Sequence, residues 1–327
     1  MAKKSSHPAE GQSSSEDRIP PLRVLVSWSP SSTGTEAIEF AAWLARSTPV
    51  QIRVVSTISQ PLTVTSLSKL SGSYKQWFKK ERATCERAVK QALDAAGVDK
   101  AQLDKNVSVL IAGPSRPQLL EQAATDFNAH VILLGANQSA PKGRFFSGST
   151  ADALLHYSPL PVGLTPRGIK LSKHGVTRIN FAFTELGRAD DPALRHAACI
   201  AQRGGIPLRI LAFSANGLVD VPLEYSPTFP SDAPNWREHS PSLLDRAPDF
   251  IAEAFPEISV TTDIGSGHGW AGAVDSLKWK KGDLLCLGSS PMGPIERVFI
   301  GSTATELLPH VGVPVLVCPS TYDPEAR

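Results

Sequence analysis

Short apolar runs rich in β-branched residues alternate along this chain with longer stretches whose apolar positions recur every three or four residues. The runs at 24–29 and 52–58 read as strands around a helix near 35–47. A long helix over 74–96, a strand at 107–112, a helix at 117–127 and a strand at 130–134 follow. A loop containing Gly and Ser, a helix from Ser149 and a strand at 161–164 complete the series. The same order then recurs, with strands at 179–184, 208–214, 260–264, 284–287 and 313–317. The intervening helices are read at 192–202, 241–255, 270–278 and from Ser302. Near-continuous apolar strands separated by helices predict a parallel sheet covered on both faces.

The recurrence is a duplication. The segment from Gly135 to Pro166 aligns without gaps on the segment from Gly288 to Pro319, with 13 of 32 positions identical. RVLVSWS from Arg23 lies over RINFAFT from Arg178 at nearly the same offset. The expected architecture is therefore α/β, with two tandem Rossmann-like doubly wound domains, each on a five-stranded parallel sheet. The units are placed at 21–168 and 169–327, after an N-terminal tail at 1–20. That tail is rich in Ser, Pro and charge, has no apolar core of a signal peptide, and reads as disordered. The stretches 60–72 and 216–239, each after the second strand of its unit, read as long loops of lid or disordered type.

Composition narrows the function classes. The chain has 327 residues with 33 Lys and Arg against 31 Asp and Glu, a net charge of +2. Such a balance argues against a protein that coats nucleic acid or an anionic membrane. There is no apolar run long enough to span a bilayer. Cys85, Cys199, Cys286 and Cys318 lie far apart with no Cys-x-x-Cys pair, which argues against a disulfide scaffold and a zinc ribbon and fits a reducing cytoplasm. Cys199, Cys286 and Cys318 sit in apolar runs and are expected to be buried. Cys85, on a charged helix, is the thiol expected to react if exposed.

The candidate chemistry lies after the fourth strand of each unit, where an open parallel sheet places its ligands. Gly135 or Gly288 opens a loop, and thirteen residues on a second glycine leads into a helix as Gly148-Ser149-Thr150 or Gly301-Ser302-Thr303. Glycine permits close backbone approach, the helix start favours an anion, and the hydroxyls can donate to phosphate oxygens. The bland alternative is an ordinary N-cap by Ser or Thr. Lys142 and Arg144 in the first loop, and Arg297 in the second, are candidates to face phosphates, against solvated loop charge.

The pattern Gly-x2-Gly-x9-Gly-(Ser/Thr), followed by a helix and a Pro-Val-Leu-Val strand, resembles the universal stress protein family. The resemblance covers about 21–320 as two tandem domains. It implies a stress-response role, ATP (with Mg2+ accompanying it) at the carboxyl edge of the sheet, and a pseudo-dimer formed by the last strands at 161–164 and 313–317. Further dimerisation through other faces stays open. Members that bind ATP carry Asp at the end of the first strand, where this chain has Ser29 and Thr184. The small apolar residue that packs on adenine is replaced by Thr57 and Phe213; the latter either stacks on a base or fills the pocket. The middle glycine falls on Gln138 and Pro291.

Other constellations carry little chemistry. Gly265-Ser266-Gly267-His268-Gly269 lacks the third glycine of a dinucleotide fingerprint, and no catalytic triad, His-Glu-x-x-His or Walker motif is present. His156 and His310 read as surface or capping residues. The sequence thus points to a non-catalytic regulatory protein that binds an adenine nucleotide. The alternative is a scaffold that has lost nucleotide and works through protein contacts. An adenylating ligase would need a loop after the first strand that SWSPSSTGT does not contain. The first unit is the expected binder, because Pro291 removes a backbone donor and Phe213 takes up space in the second.

Overall fold

The computed structural model describes residues 20–32, 34–60, 72–183, 191–214, 236–291, 298–299, 302–319 and 322. In the first unit the strands are β1 (Leu22–Ser27), β2 (Val50–Ser59), β3 (Leu103–Gly113), β4 (Val131–Leu134) and β5 (Val162–Leu164). In the second they are β6 (Arg178–Ala182), β7 (Leu208–Ser214), β8 (Val260–Ser266), β9 (Asp283–Pro291), β10 (Val298–Phe299) and β11 (Val315–Pro319). The helices are α1 (Glu36–Ala45), α2 (Gly72–Ala95), α3 (Arg116–Phe127), α4 (Ser149–Tyr157), α5 (Pro192–Gly204), α6 (Trp236–Ala254), α7 (Gly269–Asp275) and α8 (Ser302–Leu307).

The sheet runs β3-β2-β1-β4-β5-β11-β9-β6-β7-β8, with the short β10 hairpinned onto β9. Each unit therefore has the order 3-2-1-4-5 and is parallel throughout. The two join where β5 and β11 run antiparallel, Gly163 opposite Leu316 and Val162 opposite Val317. The duplicated α/β architecture and the pairing of last strands agree with the sequence.

Strand alternation splits the core between the faces. Val24, Val26 and Leu133 pack with α1, α2, α5 and α6, while Leu25, Ile132 and Leu134 pack with α3, α4, α7 and α8. Both packed layers cross the seam without a break: Leu316 shares one with Phe40, and Val315 shares the other with Leu164. Gly163 is required there, since a Cβ would come within 2.4 Å of Leu133 and 3.0 Å of Phe40. At the N-terminal ends of β6 and β9, Arg178 grips Asp283, which is fully buried, through Nε–H and Nη2–H bonds of 2.8 and 2.6 Å. The Lys280 backbone N–H gives the same carboxylate a third bond of 2.8 Å.

Several boundaries differ from the pattern. The first strand stops at Ser27, so Ser29 lies beyond it. β3 starts at Leu103, α6 begins at Trp236 ahead of Pro241, and β11 begins at Val315. Cys85 is only 3% exposed, a correction to its expected reactivity. It shares the buried stripe of α2 with Val89 and Leu93, at i, i+4 and i+8. The tail at 1–19 and nearly all of the two long loops lie outside the described residues.

Candidate functional site

At the carboxyl edge of the first unit the strands end in a cleft of about 570 Å³, a volume in the ordinary range for small-molecule sites. It brings together Ser29, Thr57, Gly135, Gly148, Ser149 and Thr150. Trp28 folds the loop after β1, its indole N–H donating to the Gly34 carbonyl at 2.9 Å. The Ser56 hydroxyl holds the Trp28 carbonyl at 2.8 Å. Ser29 then presents its hydroxyl 2.8 Å from that of Ser31, giving this end of the cleft a cluster of small donors.

The opposite end is the start of α4. Its cap residue is Gly148, which has no side chain to satisfy the first-turn amides, and Ser149 is already inside the helix. The ordinary Ser/Thr cap is therefore not what the sequence encodes here. Gly135 runs close to α1: a Cβ there would stand 3.6 Å from the Ala37 backbone nitrogen. Asn137 completes this end, its amide 3.8 Å from where a Gly148 Cβ would be. Two helix starts, α1 and α4, thus converge on one opening, a favourable setting for an anion.

Lys142 and Arg144 do not line the cleft, which corrects the expectation that they face phosphates, and Arg297 lies outside the described residues. Arg144 reaches across the seam and donates from Nη1 to the His310 carbonyl. Lys142 lies along Gly168, with its Cγ 3.4 Å from that residue's Cβ position. Among the described residues the cation lining the cleft is Arg116, the first residue of α3, whose Nη2–H donates to the Ser27 hydroxyl at 3.1 Å. Desolvation by surrounding atoms lowers its pKa from the usual arginine value, although the side chain remains open to the cleft. Glu36 also lines the cleft, its carboxylate accepting from the Gly168 N–H at 3.3 Å. Arg116 was hidden in the sequence because the helix was read from Pro117; only its position one residue before that proline hinted at it.

The second unit has diverged. Phe213 is 5% exposed and packs against the Gly265 backbone, where a Cβ would come within 2.8 Å of its ring. Its side chain belongs to the packed layer that includes Ala273 and Val274 of α7. Gly288 lies beside Asp191, whose carboxylate caps α5 by accepting from the Ala193 N–H at 2.8 Å. That carboxylate, 3.6 Å from the Gly288 Cβ position, puts negative charge at the matching loop. Thr184 and Gly301 lie outside the described residues, as do the side chains of Ser302 and Thr303 at the start of α8.

A duplicated 3-2-1-4-5 sheet with a glycine-lined cleft at its carboxyl edge defines a tandem α/β protein of the doubly wound type. The universal stress protein family model matches residues 22–166 and again 176–319, and the chain belongs to that family. Universal stress protein Rv2319c of Mycobacterium tuberculosis and Universal stress protein Mb2346c of Mycobacterium bovis are each 28% identical over 303 residues. Those alignments span 91% of this chain and 100% of each relative. The crystal structure of a universal stress protein from Archaeoglobus fulgidus superposes with a TM-score of 0.63 at 20% identity, over 91% of this chain and 98% of that one. The latter likeness is one of fold. Membership supports a stress-response role, and among the described residues no helix is long and apolar enough to cross a membrane.

Proposed function

We propose that this protein is a non-catalytic stress-response module whose first unit binds an adenine nucleotide and whose second unit serves as its fixed structural partner. The observation that carries this reading is the 570 Å³ cleft with Gly135, Gly148, Ser149 and Thr150 at one end and Ser29 and Thr57 at the other. Phosphates would lie on the α4 amides and the Ser149 and Thr150 hydroxyls, with Mg2+ arriving on the phosphates. Base and sugar would lie over the ends of β1 and β2, where Thr57 leaves room that Phe213 occupies in the second unit. A cytoplasmic location belongs to the same reading. In the second unit Asp191 repels an anion at the matching loop.

Calorimetric titration of the full chain with ATP, ADP and AMP tests this. Gly148→Val should abolish binding, because its side chain intrudes between Asn137 and the helix start, and Gly301→Val should leave binding unchanged. The reverse pattern would transfer the site to the second unit. Absence of binding to the unaltered chain would favour the second reading, a scaffold acting through protein contacts, which Ser29 in place of a carboxylate supports.

A further inference from the structure

We propose that the first unit's cleft selects a nucleotide carrying a phosphate on its ribose, held by the guanidinium of Arg116; this rests on the nucleotide reading above. The geometry sets the pose. With 5′-phosphates at the start of α4, beyond β4, the lining continues through Gly135 toward the ends of β1 and β2, at Ser27, Ser29 and Thr57, with the start of α1 along one side. β1 and β4 are adjacent strands, with Ser27 opposite Leu134. One strand spacing of roughly 4.8 Å therefore brings the sugar to the end of β1. Arg116 is bonded to Ser27 at that point.

The charge at that position is unmatched. Arg116 is the first residue of α3, so a cation stands at the positive end of a helix, where it is disfavoured. Its hydrogen-bond partner among the described residues is a neutral hydroxyl, and none of the ion pairs among them involves it. Glu36, the carboxylate of the cleft, is engaged with the Gly168 N–H and pressed against Gly34 on the α1 side. An anion arriving at Arg116 would offset the unfavourable placement of its charge at the start of α3. In α/β nucleotide sites, a carboxylate at the sugar suits free ribose hydroxyls, whereas an arginine accommodates a ribose phosphate. Here the strand end offers the hydroxyls of Ser29, Ser31 and Ser32 and one guanidinium, groups that can all donate to phosphate oxygens.

The test is calorimetric titration of the full chain with AMP, adenosine 2′,5′-bisphosphate and adenosine 3′,5′-bisphosphate. At least one bisphosphate should bind about tenfold or more tighter than AMP, the worth of one good charge-assisted contact. Arg116→Met should erase that preference, lowering bisphosphate affinity more than AMP affinity, and Arg116→Lys should retain part of it. Thermal melting of both variants reports on their folding, and Arg116→Lys serves if the methionine variant does not fold. Equal affinity for AMP and both bisphosphates, or an Arg116→Met loss equal for all three, would overturn the inference. In that event binding that remains sensitive to Gly148→Val leaves the nucleotide reading standing. If none of the three nucleotides nor ATP binds, both readings fall.

Discussion

His196 makes stability fall in mild acid by an amount the structure allows to be worked out. It lies on α5, 8% exposed, with its ring edge-on to Tyr322 at 5.0 Å and its Nδ1 without a hydrogen-bond partner among the described residues. Burial, with Arg203 and then His130 adding positive charge nearby, pushes its pKa down from 6.5 to about 4. The folded protein therefore resists protonation that the unfolded chain accepts. Above the unfolded value of about 6.5 both states are neutral and His196 costs nothing. As pH falls toward 4 the unfolded state binds more protons, so stability is lost across that window. At about 1.36 kcal/mol per unit, the loss between pH 7 and pH 4 is about 3 kcal/mol. His196→Leu removes the titration. In urea denaturation followed by tryptophan fluorescence, the unaltered chain should lose about 3 kcal/mol more than the variant between those pH values. Carboxylates titrate in both proteins and cancel in the comparison. Parallel pH profiles would refute the reasoning, since they would mean that His196 protonates in place.

Other outcomes follow from packing and charge. Asp283→Ala strands Arg178 at the floor of the second unit and should cost about 3–5 kcal/mol in the urea midpoint analysis. Arg144→Ala removes the guanidinium bond to the His310 carbonyl and should cost about 1–2 kcal/mol without altering nucleotide titrations. Leu316→Ala opens a cavity under the seam and should lower stability by about 2–5 kcal/mol. Toward a thiol reagent the half-buried Cys199 should react first. Cys85, Cys286 (its thiol pushed up to about 12 by burial) and Cys318 should wait for unfolding, because the thiolate is the reactive form.

The fold was legible because its signal is dense. Runs such as Val24–Val26 and Val131–Leu134 are apolar at every position, as strands buried on both faces must be, and the pattern is stated twice. The place of the cleft was legible for a related reason, since Gly135 directly follows the fourth strand and Gly148 stands at the start of α4, where an open parallel sheet forms its crevice. What the sequence did not reveal is direction in space. Arg144 sits in the right loop, yet its chain crosses to the other unit. Cys85 lies among charges, yet the 100° turn between helical residues turns it toward the sheet. Arg116 reached the cleft because α3 begins one residue before its proline, a shift too small for hydrophobic periodicity to register.

The antiparallel meeting of β5 and β11 has a consequence for inheritance. Two separate chains would find one another only above some concentration, but here the connector between β5 and β6, residues 165–177, holds the partner at an effective concentration of about millimolar. Dilution, low expression or competition from related chains cannot dissolve the pairing. Two identical chains would also carry every mutation in duplicate, whereas each half of this one changes alone. That independence permits the halves to differ, as they do where Phe213 stands opposite Thr57 in the duplication and Asp191 lies beside Gly288. Fusion turned a symmetric assembly into a lasting division of labour, in which one half is free to specialise because the other can never be lost.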